Sequence, residues 1–176
     1  MKRAHYVPGA GLAIMLVFAG VARAETTVEL KGVHLCCPAC TKAVAATLKK
    51  VDGVQGKCDQ KAKTITITAK DADAAQKALD ALAAAGFHGD TGNKELTIKD
   101  DSGVTKGNVK SLTLTGVHNC CNACCKAIKS TVKGVKGVTG DTAKPKEGTF
   151  DVSGEFDAEE LVKALHAAGF HVKVKK

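Results

Sequence analysis

Val28 and Leu30 alternate with polar residues, and after a short loop Cys40, Val44, Leu48 and Val51 recur at helical spacing. The first pattern predicts a half-buried strand and the second an amphipathic helix. Past Gly53, the stretch from Val54 to Cys58 reads as a short strand, and Thr64-Ile65-Thr66-Ile67-Thr68 alternates cleanly as the next. Asp73 with Gln76 predicts a capping box for an alanine-rich helix that buries Ala78, Leu79 and Leu82 and stops at Gly86. Gly89, Asp90 and Gly92 interrupt the chain before Leu96-Thr97-Ile98, the candidate closing strand.

The same order then returns. Leu112 and Leu114, a helix from Cys124 to Val135, Val138, Phe150 with Val152, and a helix capped by Asp157 and Glu160 follow one another. Gly169 ends that helix and Phe170 to Val174 supplies the last strand. Residues 100–108 break the periodicity and read as a linker. Two βαββαβ units follow, an α+β chain of two tandem ferredoxin-like sandwiches over residues 26–99 and 109–176.

The repetition is also literal: GVHLCCPAC, Gly32 to Cys40, returns as GVHNCCNAC, Gly116 to Cys124, at a constant offset of 84 residues. Duplicated loops predict one site in each domain. The topology puts each loop at the same end of its sandwich as Phe87-His88 or Phe170-His171, with Cys58 approaching from the far side.

Lys2 and Arg3, the apolar run from Leu12 to Val21, and Ala22-Arg23-Ala24 read together as a cleaved export signal over residues 1–24. The run is too short for a spanning helix, so the mature protein is expected not to span a membrane and to be periplasmic or secreted. The chain carries a formal charge of +8; losing Lys2, Arg3 and Arg23 with the signal leaves +5. All remaining basic residues are lysines and no Trp or Tyr remains, which argues against nucleic-acid binding and leaves a mild preference for acidic partners. Seven of the eight cysteines crowd into the two loops, unlike a disulfide framework that staples distant elements.

Cys37 and Cys40, and likewise Cys121 and Cys124, stand three apart at a helix start, and Pro38 sits like a first helical residue. The helix terminus favours thiolate, the form that binds metal or attacks disulfides. Thiolate pairs select soft ions such as Cu(I), and Zn(II) or Hg(II) also accept them. His34 and His118 read either as exposed loop residues or as further ligands. Cys58 and Cys125 have no counterparts and read as packing cysteines; His88 and His171 read as strand-edge residues, and His166 as an exposed helix residue.

The loop, its spacing to Val44, Leu48 and Val51-Asp-Gly-Val54, and the closing Gly86-Phe87 resemble the heavy-metal-associated domain family, in both repeats. The resemblance implies a non-enzymatic module that sequesters a soft metal ion or passes it to a metal transporter or acceptor protein. Cu(I) comes first, Zn(II), Cd(II) or Hg(II) are alternatives, and about one ion per domain is expected. It also implies that a metal-bridged dimer can form through facing loops. Family members read Gly-Met-Thr before the first CxxC cysteine; here His34-Leu35-Cys36 and His118-Asn119-Cys120 stand in those places. Zinc-exporting members place an aspartate ligand where Cys36 and Cys120 lie, so these thiols either complete a three-sulfur site or point to solvent. The alternative function is extracytoplasmic thiol-disulfide exchange, because an exported CxxC meets an oxidising compartment.

Overall fold

The computed structural model describes residues 24–175, so the expected export signal, apart from Ala24, lies outside the described residues. Strand β1 (Thr26–Lys31), helix α1 (Pro38–Leu48), strands β2 (Val54–Asp59) and β3 (Thr64–Ala69) and helix α2 (Ala72–Ala84) form the first unit. Strand β4 (Asn108–Thr115), helix α3 (Asn122–Lys133), strands β5 (Val138–Asp141) and β6 (Thr149–Asp157), helix α4 (Ala158–Ala167) and strand β7 (Lys173–Val174) form the second. Both sheets are antiparallel, in the orders β1-β3-β2 and β5-β6-β4-β7. The second is a complete split βαβ sandwich. Among the described residues no helix is long and apolar enough to cross a membrane.

In the first unit the expected closing strand at Leu96-Thr97-Ile98 does not form. A single bridge from Lys31 to Asp90 takes that edge, and local side chains claim the backbone beyond it. The Asp90 carboxylate accepts from Gly92 N, and Asn93 Oδ1 accepts from Glu95 N. Such turns compete directly with a ladder. Thr97 bonds instead to Gln76, donating its N–H to Oε1 (3.3 Å) and accepting from Nε2 (2.9 Å). Gln76 therefore does not complete a capping box with Asp73; Asp71 caps α2 by accepting from Ala74 N at 2.7 Å. The 100–108 segment is no free linker either. Ser102 is buried, and its carbonyl accepts from Val174 N at 2.8 Å.

Each helix pair covers one sheet face with its apolar stripe: Val44, Leu48, Leu79 and Leu82 in the first unit, Ile128, Val132, Leu161 and Leu165 in the second. These cores are continuous through the junction between the units. There, Phe87 and Phe170 form an isolated antiparallel bridge. His88 N–H donates to Gly169 O (3.1 Å) and His171 N–H to Gly86 O (3.0 Å). Phe170 stacks on His34 at 4.3 Å and Phe87 on His118 at 4.2 Å, so each unit's Gly-Phe-His segment covers the other unit's loop. The contact is self-complementary, as in a twofold dimer interface.

His88, His166 and His171 line this junction rather than a strand edge or an exposed helix face. The His166 ring stacks on His88 at 4.0 Å. His88 Nδ1 is 3.1 Å from His171 Nδ1, and His171 Nε2 is 2.7 Å from the Asp101 carboxylate, which also accepts from Lys173. Since the carboxylate can only accept, His171 keeps its proton on Nε2, and Nδ1 is left to accept from His88.

Two predictions follow from the junction geometry. Gly86 and Gly169 have φ of +84° and +88°, and a Cβ on them would lie 2.2 Å from His118 N and 2.3 Å from His34 N. Gly86→Ala should therefore undock the units, with a left-handed backbone cost of about 1–2 kcal/mol added to the clash. Small-angle scattering should show an enlarged radius, and an unchanged radius would contradict the close approach.

Burial, then the neighbouring His166 and His171, pushes His88 from an ordinary 6.5 down to about 3, against the opposing pull of Asp100 and Asp90. Burial lowers His166 as well. The folded pKa is depressed, so between those values an opened junction binds more protons than a closed one. Docking is then fully stable above about pH 6.5 and weakens as pH falls toward about 3. A scattering radius as small at pH 4.5 as at pH 7.5 would refute this.

Candidate metal centre

Cys37 caps α1 and Cys121 caps α3, both in extended backbone (φ −156°, ψ 165° and φ −156°, ψ 173°). Pro38 starts α1 as the sequence indicated. One turn in, Cys40 and Cys124 are fully buried and belong to the continuous core. Because the capping residues are extended, the preceding side chains, Cys36 and Cys120, leave the chain on the opposite side from their neighbours.

Docking brings all six loop thiols together. Within the first loop, Cys40 lies 3.8 Å from Cys36 and 3.7 Å from Cys37. Within the second, Cys124 lies 3.6 Å from Cys120 and 3.7 Å from Cys121. Across the junction, Cys36 is 3.7 Å from Cys121 and 3.3 Å from Cys124, while Cys120 is 3.7 Å from Cys37 and 3.6 Å from Cys40. Cys40 and Cys124 meet at 3.8 Å. The thiols of the two domains, expected in separate sites, are in contact with one another. A facing-loop arrangement, anticipated between two chains, forms within one.

The thiols differ in charge. Hydrogen bonding from Cys124 is the largest influence on Cys40 and, with further help from His118, lowers it from 9.0 to about 2 despite burial. The same contact with Cys40, reinforced by burial, raises Cys124. Given the near symmetry, the geometry supports one thiolate shared between these two positions. Cys121 falls to about 6, chiefly through the Cys124 backbone N–H, whereas burial raises Cys36 to about 12 and also raises Cys120.

His34 and His118 are not exposed loop residues. Each ring is clamped by a phenylalanine of the other unit, and Nε2 of both is buried without a hydrogen-bond partner. Burial lowers the His34 pKa, which keeps the imidazole neutral and its lone pair available. His34 groups with Cys36 and Cys124, within 4.8 Å of one another. Leu35 and Asn119 both lie beneath their loops. Asn119 donates to the carbonyls of Lys144 (2.7 Å) and Glu147 (3.0 Å), tying its loop to the β5–β6 connection. Cys125 packs in the core with its thiol 3.5 Å from Ala143 O, and Cys58, its pKa raised by burial, stays outside the cluster.

The family model of the heavy-metal-associated domain matches residues 113–171. The first unit repeats its loop and order of elements. No curated protein gives a significant match. Among solved structures, the chain is similar to oxidized MerP from Ralstonia metallidurans CH34, with 26% identity, TM-score 0.34, and coverage of 38% of this chain and 97% of that one. A copper binding domain from HMA7, a P-type ATPase, aligns at 17% identity, TM-score 0.36, over 39% of this chain and 96% of that one. The N-terminal soluble domains of Bacillus subtilis CopA align at 16% identity, TM-score 0.30, over 87% of this chain and 95% of that one.

Asn119→Ala should cost about 1–3 kcal/mol, because two part-buried carbonyls lose their donor. Urea unfolding of the reduced protein measures it, and a loss below the lower figure would mean that Asn119 does not hold the loop.

Proposed function

We propose that the chain is an exported protein that takes up soft metal ions on the thiolates of its cysteine loops and passes them to an acceptor protein by ligand exchange. The observation that carries this reading is the convergence of Cys36, Cys37, Cys40, Cys120, Cys121 and Cys124 into sulfur contacts of 3.3–3.8 Å. Thiolates select soft ions, with Cu(I) and Hg(II) bound by as few as two and Zn(II) or Cd(II) accepting more. The match to the heavy-metal-associated domain at residues 113–171 supports the class of cargo. Residues 1–24, with Lys2, Arg3 and Ala22-Arg23-Ala24, support export.

In this role the protein does no bond-making chemistry of its own. An incoming acceptor thiolate adds to the ion before a donor thiolate leaves, so the ion is never released to water. Helix starts at Cys37 and Cys121 favour the thiolate form that such exchange needs. The lysine-rich surface steers toward an acidic acceptor.

Titration of the reduced mature protein with Cu(I) or Hg(II), followed by charge-transfer absorption, should end at about two ions per chain, one for each thiolate set. The mature sequence has no Tyr or Trp to obscure that absorption. No binding, with insulin reduction present, would instead establish thiol-disulfide exchange.

A further inference from the structure

Building on the soft-metal reading, we infer that the six thiols form two four-coordinate sites, each made across the junction. One site joins Cys37 and Cys40 to Cys120 and His118; the other joins Cys121 and Cys124 to Cys36 and His34. Each takes a divalent d10 ion of the Zn(II) or Cd(II) class.

The sulfur contacts favour one division. Cys37, Cys40 and Cys120 are mutually 3.6–3.7 Å apart, and Cys36, Cys121 and Cys124 are 3.3–3.7 Å apart. The within-loop triples also hold together, Cys120 with Cys121 and Cys36 with Cys37 lying within 4.8 Å, but the cross-junction triples join every pair by a sulfur contact of 3.3–3.7 Å. The cause is local: the extended backbone at Cys37 and Cys121 sends sequence neighbours to opposite sides. Cys36 thereby touches Cys40 of its own pair at 3.8 Å but both thiols of the other pair, at 3.7 and 3.3 Å. Ligands at about 2.3 Å in a tetrahedron stand about 3.8 Å apart, so the triples need only small expansion to close on an ion.

The imidazoles supply the fourth position. His34 reaches the cluster beside Cys36 and Cys124, and His118 lies beside Cys40. Both present an unpartnered buried Nε2, an orphaned polar atom that a fourth bond to the ion would satisfy. Three thiolates and an imidazole make a set that zinc commonly takes. As the ion enters, each thiol still protonated gives up its proton to solvent, and the three thiolates with the dication leave one net negative charge.

Double substitutions in the full reduced chain separate the arrangements, with Cd(II) as the probe against a competing chelator. Cys36→Ser with Cys121→Ser removes two ligands of one inferred site and should leave one Cd(II) bound at wild-type affinity. Cys36→Ser with Cys37→Ser removes one ligand from each and should weaken both ions at least tenfold. Both variants lack Cys36 and one helix-capping cysteine, so a general folding defect cannot produce opposite results. The reverse pattern would show each loop acting alone and overturn the inference while the soft-metal reading stands. Equal behaviour of the two variants would also overturn it. Failure of the unaltered protein to bind Cd(II), Hg(II) or Cu(I) would instead remove the function itself.

Discussion

Antiparallel pairing of Gly86-Phe87-His88 with Gly169-Phe170-His171 is the contact on which the thiol cluster depends, because it sets the distance between the two helix starts. Its energy comes mainly from the side chains. Phe87 and Phe170 are fully buried, and burying a phenylalanine contributes roughly 1.5–3 kcal/mol, more than a backbone hydrogen bond at about 1 kcal/mol. The hydrogen bonds instead fix register, and the two glycines let the chains approach closely enough for the phenyl rings to reach the imidazoles behind the thiols. Moving either segment by one residue would turn Phe87 or Phe170 away from the opposite loop.

Six thiols so close cannot all ionise in the empty protein. Two full charges 3.7 Å apart repel by about 4 kcal/mol at an effective dielectric of about 20. The cluster therefore exists as a net of thiols hydrogen-bonded around few thiolates, one at Cys40 or Cys124 and, near neutral pH, one at Cys121. A cation reverses the balance, since each further ionisation then adds attraction to the ion. The scaffold is thus compact before loading, and docking is strengthened by any ion that bridges the units.

Most of the second unit was legible in the sequence, as was the helical start of each CxxC pair, because periodicity and caps are local. Asp157 caps α4 through Glu160 N as expected. The first unit's missing strand was less legible: Asp90 and Asn93 divert backbone groups into turns that hydrophobic pattern does not register. The junction was least legible. Topology placed Phe87-His88 and Phe170-His171 at the loop ends, correctly, but within their own units. A repeat in a single sequence shows that two surfaces are alike and not that they face each other. Gly86 and Gly169 carried the missing signal, as helix-ending glycines followed in both copies by the same Phe-His pair.

Facing also explains why a cysteine precedes each CxxC pair. In an isolated domain the divergence of Cys36 from Cys37, and of Cys120 from Cys121, would leave the outer thiol in contact with the inner cysteine of its own pair alone, Cys40 at 3.8 Å or Cys124 at 3.6 Å. Across the junction the same divergence becomes useful, because each outward thiol meets the inward pair of the other copy. In the proposed role, hand-over then carries a constraint that a single-domain carrier lacks. An acceptor approaching Cys37 or Cys121 meets the opposite unit, held there by the Gly-Phe-His segment, beside the exposed Cys36. Acid weakens that segment through His88, whose low pKa makes protonation favour the opened form. In the proposed role, loading and docking reinforce each other, while proton uptake works against the closed junction.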